Sequence, residues 1–222
     1  MVQSLERRDK EIPMKKITQA SSSPHYVFKP DSLSVAEATF VTVKNFLNKK
    51  ELGWIEKYVK TIDMENAKTG GGDNSGLNPE KRKGKVGWIQ YNLDTRWLYD
   101  KIFEQACNNP WDFDVTGIHD SLQYTLYPTE VGDSYYKAHR DAGPQFYWRK
   151  ISMTIQLSDP DDFEGGGVEI EDPGGNQDWI KVPHEDRGDM VVFPSIMRHR
   201  ALPVTKGTRK ALIVWVSGPP LR

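Results

Sequence analysis

What most constrains this chain is the punctuation of its C-terminal half. From about residue 118 the sequence breaks into short strand-like runs: IHDSLQYTLYP, YYKAH, KISMTIQLS, GVEIE, DWIKVP, DMVVFPS and RKALIVWVS. Between them stand Gly-Asp, Ala-Gly-Pro, Asp-Pro, Gly-Gly-Gly, Pro-Gly-Gly, Arg-Gly-Asp and Lys-Gly. These residues adopt turn dihedrals readily and interrupt a hydrogen-bonded ladder. Such a series of short strands predicts a β-sandwich or jelly roll, with the preceding helices packed on one sheet. The expected class is therefore mainly β with flanking helices.

The N-terminal half supplies the support. Residues 1–24 are polar, end in SSSP, and read as a flexible tail; residues 25–222 read as one domain, with helix and strand support over 25–115 and the jelly-roll core over 116–222. ATFVTVKNFL (38–47) is strand-like. Asn48 stands at an N-cap position before KKELGWIEKYVKTI, where Leu52, Ile55 and Val59 share a helical face. Residues 66–85 lack apolar periodicity and hold five glycines and five Lys or Arg, so they read as a long loop, either a lid or a solvated insertion. VGWIQYNL (86–93) reads as a strand. Asp94 then caps a helix through Ala106, with Trp97, Leu98, Ile102 and Ala106 on its apolar side.

Charge and cysteine usage narrow the setting. Thirty basic and thirty-one acidic residues give a formal charge of −1, a balance that points to neither nucleic acid nor an anionic membrane. The first twenty residues carry charges throughout, so neither a secretory signal nor a membrane span is expected. The single cysteine, Cys107, rules out an intrachain disulfide and suits a reducing, cytoplasmic location. Cys107 reads as a buried residue at a helix end.

The chemistry-bearing residues are sparse. Of five histidines, two form His-x-Asp: His139 with Asp141, and His184 with Asp186. The spacing suits a metal, because period two along a strand sends i and i+2 to one side. A third ligand from a neighbouring strand would complete the two-histidine, one-carboxylate set of non-haem Fe(II) sites. The second pair sits in HEDRGD, with four charges in six residues, and reads as solvated. His25 lies in the tail, and His119 reads as a polar residue opening a strand. The first pair by itself is equally a surface turn.

Residues 193–218 add weight to it. His199 ends a strand, and the next run opens with Arg209. Arg209, Ala211, Ile213 and Trp215 share one side; Leu212, Val214 and Val216 share the other. A strand apolar on both sides is buried, and a buried guanidinium needs an anion. The anion is either a bound carboxylate or a distant Asp or Glu. In ISMTIQL the polar row Ser152, Thr154 and Gln156 faces either water or a polar cavity.

Taken together, YTLYPTEVGDSYYKAHRD, RKISMTIQLSDPDDFEGGGVEI and GDMVVFPSIMRHRALPVTKGTRKALIVWV resemble the Fe(II)- and 2-oxoglutarate-dependent oxygenases, in the prolyl 4-hydroxylase-like branch. The likeness covers about 124–216. It implies a double-stranded β-helix core and the hydroxylation of a C–H bond coupled to decarboxylation of 2-oxoglutarate to succinate and CO2. It implies Fe(II) on His139, Asp141 and His199, with 2-oxoglutarate and O2 as cosubstrates and ascorbate as an optional addition. Arg209 is implied to grip the distal carboxylate of 2-oxoglutarate, with Tyr127 beside it. Gln156 stands where relatives place a tyrosine. Tyr136 and Trp215 are either cavity walls or plain core aromatics. Arg82 either meets an acidic or extended peptide or keeps the loop soluble. Glu164, Gly165 and Gly166 read as a turn between close strands. A prolyl residue in a protein or peptide is the expected substrate; a free amino acid, a small metabolite, or a non-catalytic binding module are the alternatives.

Overall fold

The computed structural model describes residues 38–70, 75–130, 133–174, 178–183 and 186–219. The expected tail, with His25, and His184 lie outside the described residues.

Two antiparallel sheets and two helices make up the described fold. In chain order these are β1 (Val41–Val43), α1 (Lys49–Tyr58), β2 (Glu65–Asn66), β3 (Lys85–Ile89), α2 (Arg96–Cys107), β4 (Leu122–Pro128), β5 (Ser134–His139) and β6 (Arg149–Gln156). There follow β7 (Phe163–Gly165), β8 (Val168–Glu171), β9 (Trp179–Lys181), β10 (Met190–Pro194) and β11 (His199–Ser217). The large sheet runs β1-β10-β6-β11-β4-β3-β2. The small sheet forms on the first half of β11, which pairs with β5, β7 and β8, while β9 adds to β8. Thus β11 serves both sheets: residues 199–207 in the small one and 208–217 in the large one. This is the expected mainly β jelly roll.

The large sheet separates two environments. On its back, Leu122, Ile151, Met153, Ile155, Met190, Leu212, Val214 and Val216 pack with Leu52 and Ile55 of α1 and Leu98, Ile102 and Ala106 of α2. Most of these side chains are wholly removed from water. At about 25 cal/mol per Å² of apolar surface, this layer is the main stabilising term. On the front, register places Ser152 beside Trp215, Thr154 beside Ile213, and Tyr127 beside Arg209. The alternation in ISMTIQL therefore separates core from cavity, not core from water.

The helices start on local signals. Asn48 Oδ1 accepts from the amides of Lys50 and Glu51, and Glu51 Oε2 accepts from the Asn48 amide at 2.8 Å, a reciprocal cap. Lys101 of α2 reaches Glu51 at 2.7 Å and ties the helices together. The second start differs from expectation: Asp94 is not the cap, and Thr95 holds that position. Asn92 Oδ1 accepts the amides of Asp94 and Thr95, and Thr95 Oγ1 donates to the Gln90 carbonyl at 2.7 Å. The turn is thus formed two residues early by the Asn92 side chain.

Three further expectations are corrected. Cys107 closes α2 but is exposed, because it falls one step past Ala106, off the buried face. The 38–47 run is strand only over Val41–Val43. The 66–85 segment is not without pairing: Asn66 belongs to β2, Thr69 bridges Gly76 within the segment, and residues 81–83 bond to β5 through main chain. No helix among the described residues is long and apolar enough to cross a membrane.

Candidate metal centre and its cavity

Strand pairing creates the centre. His139 is the last residue of β5 and His199 the first of β11, and the two are direct partners across the ladder. Asp141 lies in the bend after β5. Its amide and that of Ala142 donate to the Ser195 carbonyl at 3.1 and 2.9 Å, which folds the bend back over the sheet. The result brings one ligand-type atom of His139, Asp141 and His199 within 4.8 Å of one another. His139 Nε2 is 3.5 Å from Asp141 Oδ1, and His199 Nε2 is 3.5 Å from Asp141 Oδ2.

Each imidazole is oriented from behind. His139 Nδ1 is 2.8 Å from the Lys137 carbonyl and His199 Nδ1 is 3.1 Å from the Met197 carbonyl. A carbonyl only accepts, so both Nδ1 atoms carry a proton, and Nε2 is the ring nitrogen that each imidazole turns toward Asp141. Burial holds His199 down at a pKa of about 4 against the opposing pull of Asp141, so at neutral pH it is in the neutral form a metal requires. Asp141 is buried, which alone would raise its pKa. The imidazoles of His199 and His139 and a 2.7 Å hydrogen bond from Ser152 Oγ outweigh that and keep it ionised. Ser152 in turn contacts Ser195 Oγ at 2.9 Å. Two imidazole nitrogens and one carboxylate oxygen are a donor set for a first-row divalent ion.

The centre opens into a cavity of about 820 Å³ between the two sheets. His139, Asp141, His199, Arg209, Tyr127, Tyr136, Trp215 and Arg82 all line it. Tyr136 and Trp215 are therefore cavity walls. The Tyr136 ring stacks on His139 with centroids 3.5 Å apart, and Phe193 supports His199 at 4.7 Å. Arg209 is 3 % exposed, and no carboxylate of the described residues lies within ion-pairing distance of it. Among the described residues the distant Asp or Glu thus finds no place. Its guanidinium stands 5.8 Å from the Tyr127 ring. Gly165 and Gly166 turn with φ of +77° and +66°, and a Cβ on Gly166 would come within 3.1 Å of Arg209 Cδ, so the turn also makes room for the arginine stem.

Other polar atoms await a partner. Thr154 Oγ1 and Trp215 Nε1 are buried, line the cavity and make no hydrogen bond to protein. Buried polar groups are rarely left so, which fits a polar small molecule beside the three ligand atoms. Gln156 shares the row of Ser152 and Thr154 and is buried with Oε1 unpartnered, but it does not line the cavity. His119 packs edge-on to Trp148 at 5.7 Å, away from the ligand set.

Several residues of the site carried no sequence signal. Arg149 pairs with Asp120 at 2.9 Å and lies 3.9 Å over both Phe146 and Trp215. Ser195, Asp120 and Phe193 come from separate turns and strands. Ser152 and Thr154 do carry such a signal, as members of the polar row of β6.

Comparisons with known proteins agree with this geometry. The sequence model of the 2OG-Fe(II) oxygenase superfamily matches residues 122–217. A PKHD-type hydroxylase of Gloeothece citriformis is 33 % identical over 178 residues, covering 79 % of this chain and 76 % of that protein. A PKHD-type hydroxylase of Idiomarina loihiensis is 32 % identical over 168 residues, 76 % of this chain; the match spans 64 % of that relative's length. Among solved structures, a Pseudomonas putida prolyl-4-hydroxylase superposes with a TM-score of 0.61 at 16 % identity, covering 83 % of this chain and 95 % of that one. A Trichoplax adhaerens prolyl hydroxylase, in complex with a hypoxia inducible factor oxygen degradation domain peptide, gives 0.62 at 19 % identity, covering 81 % and 84 %. At these identities the two structures show the fold.

Proposed function

This chain belongs to the 2OG-Fe(II) oxygenase superfamily, and on that premise we propose that it is an Fe(II)- and 2-oxoglutarate-dependent hydroxylase acting on a prolyl residue of a protein or peptide. One observation carries the reading: two imidazole Nε2 atoms, one carboxylate and a buried arginine that pairs with no carboxylate among the described residues all face one cavity. Its volume falls within the usual range for small-ligand sites of roughly 300–1,000 Å³. The prolyl target rests on the names of the structural relatives.

His139, Asp141 and His199 would hold Fe(II), through the two Nε2 atoms and the Asp141 carboxylate. Iron with 2-oxoglutarate and O2 supplies the oxidant that hydroxylates a C–H bond, 2-oxoglutarate leaving as succinate and CO2. The chain's own contributions are positional and electrostatic. The Lys137 and Met197 carbonyls fix the imidazole tautomers, and Ser152 fixes the carboxylate. The Arg209 guanidinium presents a planar fork to the distal carboxylate of 2-oxoglutarate, with Tyr127 beside it. Tyr136, Phe193 and Trp215 exclude water from the reacting carbon.

The test is an aerobic incubation of the purified chain with Fe(II), 2-oxoglutarate and a library of proline-containing peptides, with and without ascorbate. Expected are succinate and a peptide heavier by one oxygen atom, both lost in His139→Ala and Asp141→Ala. Wild-type succinate formation in both variants would overturn the ligand assignment. Oxygen incorporation only at non-prolyl positions would overturn the target.

A further inference from the structure

Among the described residues six cationic side chains line the cavity: Lys68, Arg82, Arg140, Arg149, Arg200 and Arg209. Lys68 pairs with Glu65 at 3.0 Å, Arg149 with Asp120 at 2.9 Å and Arg200 with Glu169 at 2.6 Å. Arg140 is exposed, so water serves it. Two arginines are left that are buried and have no carboxylate partner among the described residues. One is Arg209, which the oxygenase reading engages with the cosubstrate. The other is Arg82, which is 9 % exposed.

Arg82 is poorly served by its surroundings. Its Nη1 donates to the Lys68 carbonyl at 3.1 Å, its guanidinium carbon lies 4.6 Å over the Tyr136 ring, and its Nε is buried with no partner. One neutral acceptor and a ring face offset only part of the cost of burying a charge with five donors. Nor is the guanidinium needed to hold its segment down. The main chain does that: Lys83 N donates to the Tyr135 carbonyl at 2.9 Å, Tyr135 N to the Lys83 carbonyl at 3.2 Å and Lys137 N to the Lys81 carbonyl at 2.9 Å. Tyr135 Oη adds a bond to the Pro79 carbonyl at 3.0 Å. The arginine is thus a donor fork fixed at the cavity wall, one stacked ring away from His139.

Resting on the oxygenase reading of this cavity, we propose that Arg82 receives a carboxylate of the substrate itself. The substrate then carries that anion close to the carbon that reacts, as a chain-terminal α-carboxylate or as the side chain of a neighbouring Asp or Glu. A planar carboxylate matches the remaining guanidinium donors and satisfies the orphaned charge only when substrate is bound.

Four probes test this: N-acetyl-prolyl-glycine and its C-terminal amide, and N-acetyl-prolyl-aspartyl-amide and its asparaginyl counterpart. Each is titrated by calorimetry into the wild-type chain under anaerobic Fe(II) and 2-oxoglutarate, which engage Arg209. The carboxylate member of at least one pair is expected to bind roughly 10- to 100-fold more tightly, as a charge-assisted contact gives. A preference in the first pair assigns the α-carboxylate, and one in the second assigns the side chain. Arg82→Gln levels the preference and Arg82→Lys keeps part of it. Equal affinities within both pairs for wild type, undetectable binding of all four, or a preference that survives Arg82→Gln overturns the proposal. The wild-type comparison needs no variant to fold. Failure of the oxygenase reading shows separately, as absent 2-oxoglutarate binding in its own titration.

Discussion

Replacing Arg209 by methionine should push stability and cosubstrate binding in opposite directions. Arg209 is held at 3 % exposure with no carboxylate of the described residues within reach, its guanidinium 5.8 Å from the Tyr127 ring and its stem beside Gly166. Methionine keeps the stem and removes the charge. Exchanging buried ionic groups for apolar ones of similar volume is often stabilising by about 1–4 kcal/mol. Arg209 lines the cavity, where water offsets part of its burial cost, so a gain of about 1 kcal/mol is expected. For a chain of this size that raises the melting midpoint by roughly 2–4 °C. On the proposed reading the same change removes, in the loaded enzyme, a fork of two charge-assisted hydrogen bonds. At about 1.5 kcal/mol or more each, 2-oxoglutarate affinity should fall by roughly 100-fold or more. Thermal melts of the ligand-free chain and calorimetric titration with 2-oxoglutarate measure the two halves. A variant that melts lower than wild type and binds 2-oxoglutarate equally well would mean that Arg209 is a structural ion-pair partner, and the reasoning would fail.

Other perturbations give sharp outcomes. Ser152→Ala removes the 2.7 Å bond to Asp141 and should weaken Fe(II) binding about 10- to 100-fold with the melt little changed, as metal titration of both proteins would show. Gly166→Ala puts a Cβ at φ +66° within 2.7 Å of Val204 Cγ2 and 3.1 Å of Arg209 Cδ; a loss of about 1–3 kcal/mol in denaturant unfolding is expected, together with weaker 2-oxoglutarate binding. Asp189 is buried, which would raise its carboxyl, yet bonds from Lys44 and from the amides of Asn45 and Asp186 lower it. A carboxyl lowered in the folded state stabilises above its unfolded pKa of about 3.9, and the contribution is lost as pH falls below that. Asp189→Asn should therefore destabilise at neutral pH, and the gap to wild type should narrow in melts taken toward pH 3; a gap independent of pH would contradict the assignment.

The sequence foretold the sheets better than what fills them. Strands β4 and β6 show alternating apolar residues and β10 a continuous apolar run, each bounded by turn residues. Strand β11 differs from expectation: His199 begins it instead of ending a strand, and it runs unbroken through Pro203 and Gly207 to Ser217 because its first half pairs in the small sheet. The start of α1 was readable because Asn48 and Glu51 form a local, three-residue signal. The start of α2 was misplaced because Asn92, Asp94 and Thr95 are all capable caps, and only three-dimensional bonding selects among them. The ligand set could be proposed because two of its members lie two residues apart. Its convergence depends on β5 and β11 pairing at His139 and His199, a contact between residues sixty apart that no local pattern encodes. The polar row of β6 was visible, but its facing a cavity instead of water follows from the small sheet that covers it. Asp120 and Ser195 lie in connecting segments and Arg149 is the first residue of β6, places where side-chain direction is set by the fold and not by periodicity.

The central claim is that His139, Asp141 and His199 hold one iron in a cavity that also takes 2-oxoglutarate. Anaerobic titration of the chain with Fe(II) in the presence of 2-oxoglutarate tests it most directly. A visible metal-to-ligand charge-transfer band that saturates at one iron per chain, and is absent in Asp141→Ala and His199→Ala, is the predicted result. A wild-type chain that retains no iron and shows no band, or variants whose band is undiminished, would contradict the account.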